Sequence, residues 1–345
     1  MLEKPDLQDE KIIACLQDQY GLCAGQVAFL PVGADLNTAV YRAIADDGTP
    51  YFVKLRSGVF DEITVALPKF LHDQGIEQII APLATITGQL WANLEPFKLI
   101  LYPFIEGRNG YEVNFSDRHW RDFGAAMHGI HTSNVPPEFT RSIPQETFSS
   151  QWRESVRMFL ERVEAEAFDD PVAAQLAAFL NARRDEILDL VGRAERLALE
   201  LQARTPLFVL CHSDVHAGNV LIDKNNTLFI VDWDNPILAP KERDLMFAGG
   251  GQGFTGHTAQ EEEILLYQGY GPTRIDPIAL AYYRYERIIV DIAVYCEQLL
   301  LTNDGGEDRG QSFRYLTSNF LPNNTIEIAY KSDKTSNLAT PDKMM

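Results

Sequence analysis

Cysteine is scarce. The 345 residues hold four, Cys15, Cys23, Cys211 and Cys296. They show no metal-ligand spacing and no dense framework, which excludes a zinc module and a disulfide-stapled scaffold. Free core thiols in a reducing cytoplasm are the simplest account, so a cytoplasmic protein is expected. Cations are also in short supply, with 30 Lys and Arg against 49 Asp and Glu and a formal net charge of −19. Binding a nucleic-acid backbone relies on clustered Lys and Arg, so nucleic acid is not an expected partner. An acidic cleft would favour a cationic small molecule. Solubility alone accounts for the same excess. No apolar run approaches the ~20 residues of a membrane span. Met1–Lys11 is acidic and polar, without the basic start and apolar run of a secretory leader. Internal repeats are lacking.

What remains is an ordinary composition, 46% hydrophobic and 23% charged, able to bury a substantial core. The length favours two lobes or two domains over one small core.

The stretch Leu207–Asp234 organises the chain. Leu207–Cys211 reads as an apolar strand and His212–Asn219 as a polar loop. Val220–Ile222 and Leu228–Val231 read as a hairpin turning at Asp223–Asn226. The frame presents Asp214, Asn219, Asp232 and Asp234 together. Phosphoryl transfer needs an acceptor hydroxyl held in line, its proton accepted, and divalent metal on the phosphates. Asp214 can accept the proton. Asn219 and Asp232 offer the hard oxygens that Mg²⁺ prefers. The spacing His-x-Asp-x-x-x-x-Asn, with Asp after the next strand, matches a protein-kinase catalytic loop and metal aspartate.

These motifs resemble the aminoglycoside phosphotransferase and choline kinase family. Further matches lie at Gly33–Thr38, Phe52–Leu55, Ala239–Phe247, Tyr283–Arg287 and Asp291–Tyr295, so that the likeness runs over most of residues 1–330. The resemblance implies an α+β, two-lobed protein-kinase-like fold. Residues 1–102 would form a small antiparallel nucleotide-binding lobe and 103–330 a large, mainly helical catalytic and substrate lobe. Residues 331–345 are polar, and a disordered tail is expected. The implied activity is ATP- and Mg²⁺-dependent phosphorylation of a small-molecule hydroxyl, with the aminocyclitol spectinomycin as first-choice acceptor. Choline, homoserine, a methylthio sugar and other aminoglycosides are alternative acceptors, and a non-catalytic nucleotide-binding module is the alternative class.

Lys54 lies between Val53 and Leu55 in an apolar strand, and alternation turns it to the opposite face. It is expected to contact the α- and β-phosphates and to pair with a glutamate of the next helix, Asp61–Asp73; Glu62 is the candidate. The turn Gly33–Thr38 has one glycine, short of G-x-G-x-x-G. By resemblance it covers the nucleotide, with Asn37 shaping it and backbone N–H groups cradling phosphate. Also by resemblance, the Pro103 carbonyl and the Ile105 N–H read adenine, with Tyr102 behind. A proline is tolerable there because it lacks only the donor.

Two protein-kinase motifs are altered. Ser213 replaces the arginine of H-R-D, which points to an enzyme needing no activating phosphorylation. Asp232-Trp233-Asp234 replaces D-F-G, and Asp234 is either a metal or substrate group or a loop carboxylate. His212 is expected to hold the loop by hydrogen bonding, His216 to do the same or approach the phosphates, and Asp244 to anchor the loop. Gly218 would allow a close approach or a positive φ.

Elsewhere, helices are expected at 8–20, 117–131 (capped by Ser116), 151–167, 170–203 and 277–301, and strands at 27–32, 39–45, 51–55, 79–86 and 90–105. On the last helix, Tyr283, Glu286, Arg287 and Asp291 either line the acceptor pocket or form a solvated charged face.

Overall fold

The computed structural model describes residues 4–33, 37–302, 306, 308–322 and 324–338. Helix α1 (Asp9–Tyr20) stops at Gly21, whose left-handed φ of 65° lets the chain turn back, Gly21 N–H donating to Gln17 O and Leu22 N–H to Leu16 O. Strands β1 (Ala24–Leu30), β2 (Thr38–Ala45) and β3 (Pro50–Arg56) follow, then α2 (Ile63–Asp73), β4 (Ala92–Leu94) and β5 (Phe97–Pro103). They form an antiparallel sheet in the order β1-β2-β3-β5-β4. Ile12 and Leu16 of α1 pack onto Tyr41, Val53, Leu55 and Leu99 of the sheet. Val53 and Leu55 are fully buried there, so period-two geometry turns Lys54 to the other face.

Strand β6 (Gly107–Asn109) leads into α3 (Asp117–Thr132), α4 (Pro137–Thr140), α5 (Gln151–Ala165), α6 (Pro171–Ala182) and α7 (Arg184–Gln202). Ser116 caps α3 with a reciprocal bond to His119. Strands β7 (Val209–Cys211), β8 (Val220–Asp223), β9 (Leu228–Ile230) and β10 (Ile237–Ala239) come next, then α8 (Glu242–Leu245), α9 (Ala259–Tyr270), α10 (Pro277–Cys296), α11 (Asp308–Ser318) and α12 (Thr325–Leu338). β6-β8-β9 form one small sheet and β7-β10 another. Helix α10 is buried nearly all round, which makes it the axis of the large core.

The two apolar cores do not divide the chain at one point. Ile63, Leu67, Leu71 and Ile79 precede residue 102 yet belong to the larger core. Three expectations change. Residues 79–86 form no strand beyond a single bridge, Ile79 to Ile230; Leu83 N–H instead donates to Leu101 and Thr85 N–H to Gln89. The helix expected over 170–203 is two, broken at Arg183. The segment expected to be disordered is helical from Lys331 to Leu338. Its polar composition hides an anchor: Asp333 is fully buried, 2.8 Å from both Arg193 and Arg196 of α7. Residues 339–345 lie outside the described residues.

Glu262 on α9 is buried and accepts from Gly249 N–H at 2.8 Å. Burial pushes its carboxyl up from 4.5 to about 7, against the opposing pull of that N–H. Between those two values the native state holds a proton that the unfolded chain releases. Stability from this group is therefore present below about pH 4.5 and is lost as pH rises towards about 7. Glu262→Gln keeps the acceptor and removes the charge. It should stabilise the protein by up to ~3 kcal/mol above pH ~7, with the gain vanishing below pH ~5, in urea melts across pH.

Candidate active site

Cys211 ends β7 and the chain enters a loop whose backbone is held by one carboxylate. Asp244 of α8 accepts from His212 N–H at 2.8 Å and Ser213 N–H at 2.7 Å, and meets His131 Nε2 at 3.1 Å. Burial opposes its charge, but His131, His212 and these N–H groups hold its carboxyl below the usual range. His131, Cys211 and Asp244 offer ligand atoms within 4.8 Å of one another. They form a closed hydrogen-bonded anchor, since His131 Nδ1 meets the Tyr270 hydroxyl at 2.9 Å and the Cys211 thiol donates to the Ala239 and Pro240 carbonyls. Ser213 is left-handed, φ 75°, and its hydroxyl donates to Asn235 O. Such a conformation costs about 1–3 kcal/mol and survives where surroundings over-determine it, typically at functional sites.

That bend presents Asp214. His212 Nδ1 accepts from Asp214 N–H, and His212 Nε2 reaches Val231 O at 2.9 Å. His212 thus ties the loop to the end of the hairpin. Asn219 closes the loop, donating from Nδ2 to Asp214 O at 2.8 Å. That leaves its Oδ1 as a possible ligand atom. Gly218 has no positive φ; it is needed for space, because a Cβ would lie 2.7 Å from both His216 and Tyr111.

The hairpin delivers Asp232, left-handed at φ 69°, and Asp234 two residues on. From β3, Lys54 Nζ lies 2.8 and 2.9 Å from the Asp234 oxygens and 3.2 Å from Asp232. Burial works against its charge, and Asp232 and Asp234 outweigh it, holding the ammonium above the usual lysine range. For Asp232, likewise, burial opposes ionisation and Lys54 prevails, keeping its carboxyl low. Asp232 is about half exposed. With Asn219 it offers the kind of hard oxygen donors that suit Mg²⁺.

Glu62 is a correction. It is exposed at the start of α2, while the carboxylates on Lys54 are Asp232 and Asp234. The cause is the direction of α2, whose Ile63, Leu67 and Leu71 bury into the larger core. Tyr283 and Glu286 are corrected too. Tyr283 is buried, its hydroxyl donating to Glu146 at 3.3 Å. Glu286 pairs with buried Arg153 at 2.6 Å. Both are buried against partners within the helical lobe. Arg287 and Asp291 do reach the catalytic loop: Arg287 Nη1 donates to Asp214 Oδ1 at 2.6 Å, and its Nε lies 3.2 Å from Asp291. Burial opposes ionisation of Asp214, but Arg287, His216 and His212 hold its carboxyl below the usual range.

Around the nucleotide side, Gly33 has φ 95°, and the Asn37 carbonyl accepts from Ser57 N–H at 2.9 Å. Ala34, Asp35 and Leu36 of this loop lie outside the described residues. Tyr102 sits edge-on to Phe52, and burial pushes its phenol up to about 12. Pro103 ends β5, exposed, and Ile105 follows, half-buried, on the way to β6.

Three residues near the site had not been singled out. Arg56 reaches Asp234 at 2.7 Å; it lies two residues from Lys54 on one strand, so alternation alone puts both on one face. Tyr111 stacks on His216 and meets its Nδ1 at 3.0 Å. Asn319 donates to Asp291 at 3.4 Å. Nothing local in the sequence marks the last two. The glycine run 249–253 packs against this loop, with Gln252 O accepting from Ala217 N–H.

A strand lysine facing two aspartates, beneath an antiparallel sheet and above a helical lobe, defines a two-lobed kinase-like phosphotransferase. A family model described as the phosphotransferase enzyme family, APH, matches residues 29–274, and the chain belongs to that family. It is an enzyme that phosphorylates an alcohol group. The chain is similar to spectinomycin phosphotransferase, APH(9)-Ia, solved in complex with ADP and spectinomycin. The two are 39% identical, the match covers 96% of this chain and 100% of that one, and the TM-score is 0.89. An AMP-bound complex of the same phosphotransferase matches at 38% identity, over 94% of this chain and 98% of that one, TM-score 0.85. An aminoglycoside phosphotransferase from Alicyclobacillus acidocaldarius shares the fold at 12% identity, over 97% of this chain and 98% of that one, TM-score 0.63. No curated protein matches the chain. No helix among the described residues is long and apolar enough to cross a membrane.

Proposed function

We propose that this protein transfers the γ-phosphoryl group of ATP to a hydroxyl of spectinomycin. The observation that carries the reading is the 39% identity, spread over nearly all of both chains, to a phosphotransferase solved with ADP and spectinomycin. The acidic balance of the chain suits a cationic aminocyclitol.

Asp214 orients the acceptor hydroxyl and takes its proton as the oxygen attacks the γ-phosphorus. The bond from that phosphorus to the bridging oxygen of the β-phosphate breaks, and ADP leaves. Lys54 clamps the α- and β-phosphates. The loop at Gly33 and Asn37 covers them, and Tyr102, Pro103 and Ile105 line the adenine. Asn219 and Asp232 would hold Mg²⁺, which when bound neutralises charge on the phosphates. Asp234, tied to Lys54 and Arg56, sets the lysine's position. The chain crosses between lobes near residues 102 and 103, and the site works in the cytoplasm, where ATP is supplied.

The test is ADP release by purified protein with ATP and Mg²⁺ against spectinomycin, other aminoglycosides, choline, homoserine and a methylthio sugar. Spectinomycin should give the highest kcat/KM. A higher value for any other acceptor would replace the substrate and leave the chemistry. ADP binding without release for every acceptor would favour a non-catalytic nucleotide-binding module.

A further inference from the structure

The catalytic loop is anchored by Asp244 from below, but the Asp214 carboxylate is aimed by something else. Its Oδ1 is taken by Arg287 Nη1 at 2.6 Å. Its Oδ2 faces His216 Nε2 at 3.7 Å, beyond hydrogen-bond reach. His216 is itself held, its Nδ1 meeting Gly218 N–H and the Tyr111 hydroxyl, both at 3.0 Å. So one carboxylate oxygen is committed and the other is open. Arg287 is fixed in turn. Its Nε lies 3.2 Å from Asp291 Oδ1, an ion-pair distance, and Asp291 Oδ2 accepts from Asn319 Nδ2. The guanidinium also lies 5.9 Å over the Phe247 ring. Arg287, Asp291 and Asn319 all lie beyond residue 274, where the family model ends.

We propose that Arg287 is a positioning residue for the transfer: it fixes Asp214 through Oδ1, presents Oδ2 to the acceptor hydroxyl, and is held in place by Asp291 and Asn319. This rests on Asp214 being the proton acceptor. A carboxylate on a loop can rotate about its last bond. A guanidinium hydrogen-bonded to one carboxylate and held at ion-pair distance from a second limits that freedom. A lysine offers one point charge and cannot bridge them in the same way. The oxygen that meets the hydroxyl then arrives already aimed, and misplacement on the order of 1 Å can cost ~10²-fold in rate. Of the α10 residues that looked like acceptor contacts, Arg287 and Asp291 therefore act through Asp214.

The experiment measures kcat, acceptor KM and ADP affinity for Arg287→Ala, Arg287→Lys, Asp291→Asn and the Arg287→Ala/Asp291→Asn pair, using ATP and the best acceptor of the panel. Arg287→Ala should lower kcat by ~10²-fold with acceptor KM and ADP affinity nearly unchanged. Millimolar guanidinium should restore part of that rate, and Arg287→Lys should restore little. Asp291→Asn should lose less, and the double variant should be no worse than Arg287→Ala, because both act through one carboxylate. A raised acceptor KM with kcat intact would show that Arg287 touches the acceptor instead. Fully additive losses would also overturn the proposal. Should Arg287→Ala fail to bind ADP, the isosteric Asp291→Asn and Arg287→Lys decide the matter by the same split. Asp214→Asn separates the two layers: if it is inactive while the Arg287 variants match wild type, only this proposal fails; if it is fully active, the reading of Asp214 fails first.

Discussion

Asp214→Asn is expected to bind ADP as the wild type does and to turn over ~10³-fold more slowly, within the range of about 10²–10⁴ for a lost general base. Substitution keeps the shape of the side chain but removes the oxygen that can take a proton. The loop backbone does not need the charge. The loop backbone is held by Asp244, and Asn219 bonds the Asp214 carbonyl, not its carboxylate. Arg287 retains Asp291 as partner. Loss should therefore fall on kcat, with the midpoint of urea unfolding nearly unmoved. A variant that keeps its turnover would show that another group takes the proton.

Lys54→Ala is expected to be the second most damaging change, lowering kcat/KM for ATP by roughly 10²–10³-fold, the usual cost of losing one placed charge donor at a phosphoryl or oxyanion site. Its ammonium is mostly buried and touches both Asp232 and Asp234. Without it, the two carboxylates lose the ammonium between them, while Arg56 stays 2.7 Å from Asp234. Lys54→Arg should not rescue, because the longer planar group cannot occupy the same point between two carboxylates. Steady-state kinetics at varied ATP check this. Equal loss in both parameters places the lysine at the transition state, and a rise in KM alone confines it to binding.

Much of this site can be read from the chain because its parts lie close in sequence. Asp214, Asn219 and Asp232 occupy one strand–loop–hairpin unit, so spacing sets their chemistry before any tertiary contact is known. Lys54 is legible through alternation, with Val53 and Leu55 as the buried reference. Where partners come from distant elements, the reading fails. Glu62 follows from a lysine partner expected on the next helix, yet α2 turns its apolar side to the larger core. On α10, Tyr283, Glu286, Arg287 and Asp291 read as one set, lining an acceptor pocket or a solvated face. Successive helical residues turn by about 100°, so Glu286 and Arg287 face different neighbours: one meets Arg153, the other Asp214. A polar stripe marks a surface helix only when one side is wet, and α10 is buried nearly all round. The C-terminal helix was hidden for the same reason. Its polar run reads as tail until Arg193 and Arg196 supply partners for Asp333.

The account turns on Lys54, Asp214, Asn219 and Asp232 meeting at one triphosphate. Phosphorus NMR of purified protein with ATP, Mg²⁺ and spectinomycin reads that directly. A phosphomonoester of the acceptor should grow in step with ADP, depend on spectinomycin being present, and be absent for Asp214→Asn. An ATP spectrum that stays unchanged with every acceptor, or one that decays to free phosphate regardless of acceptor, would contradict it.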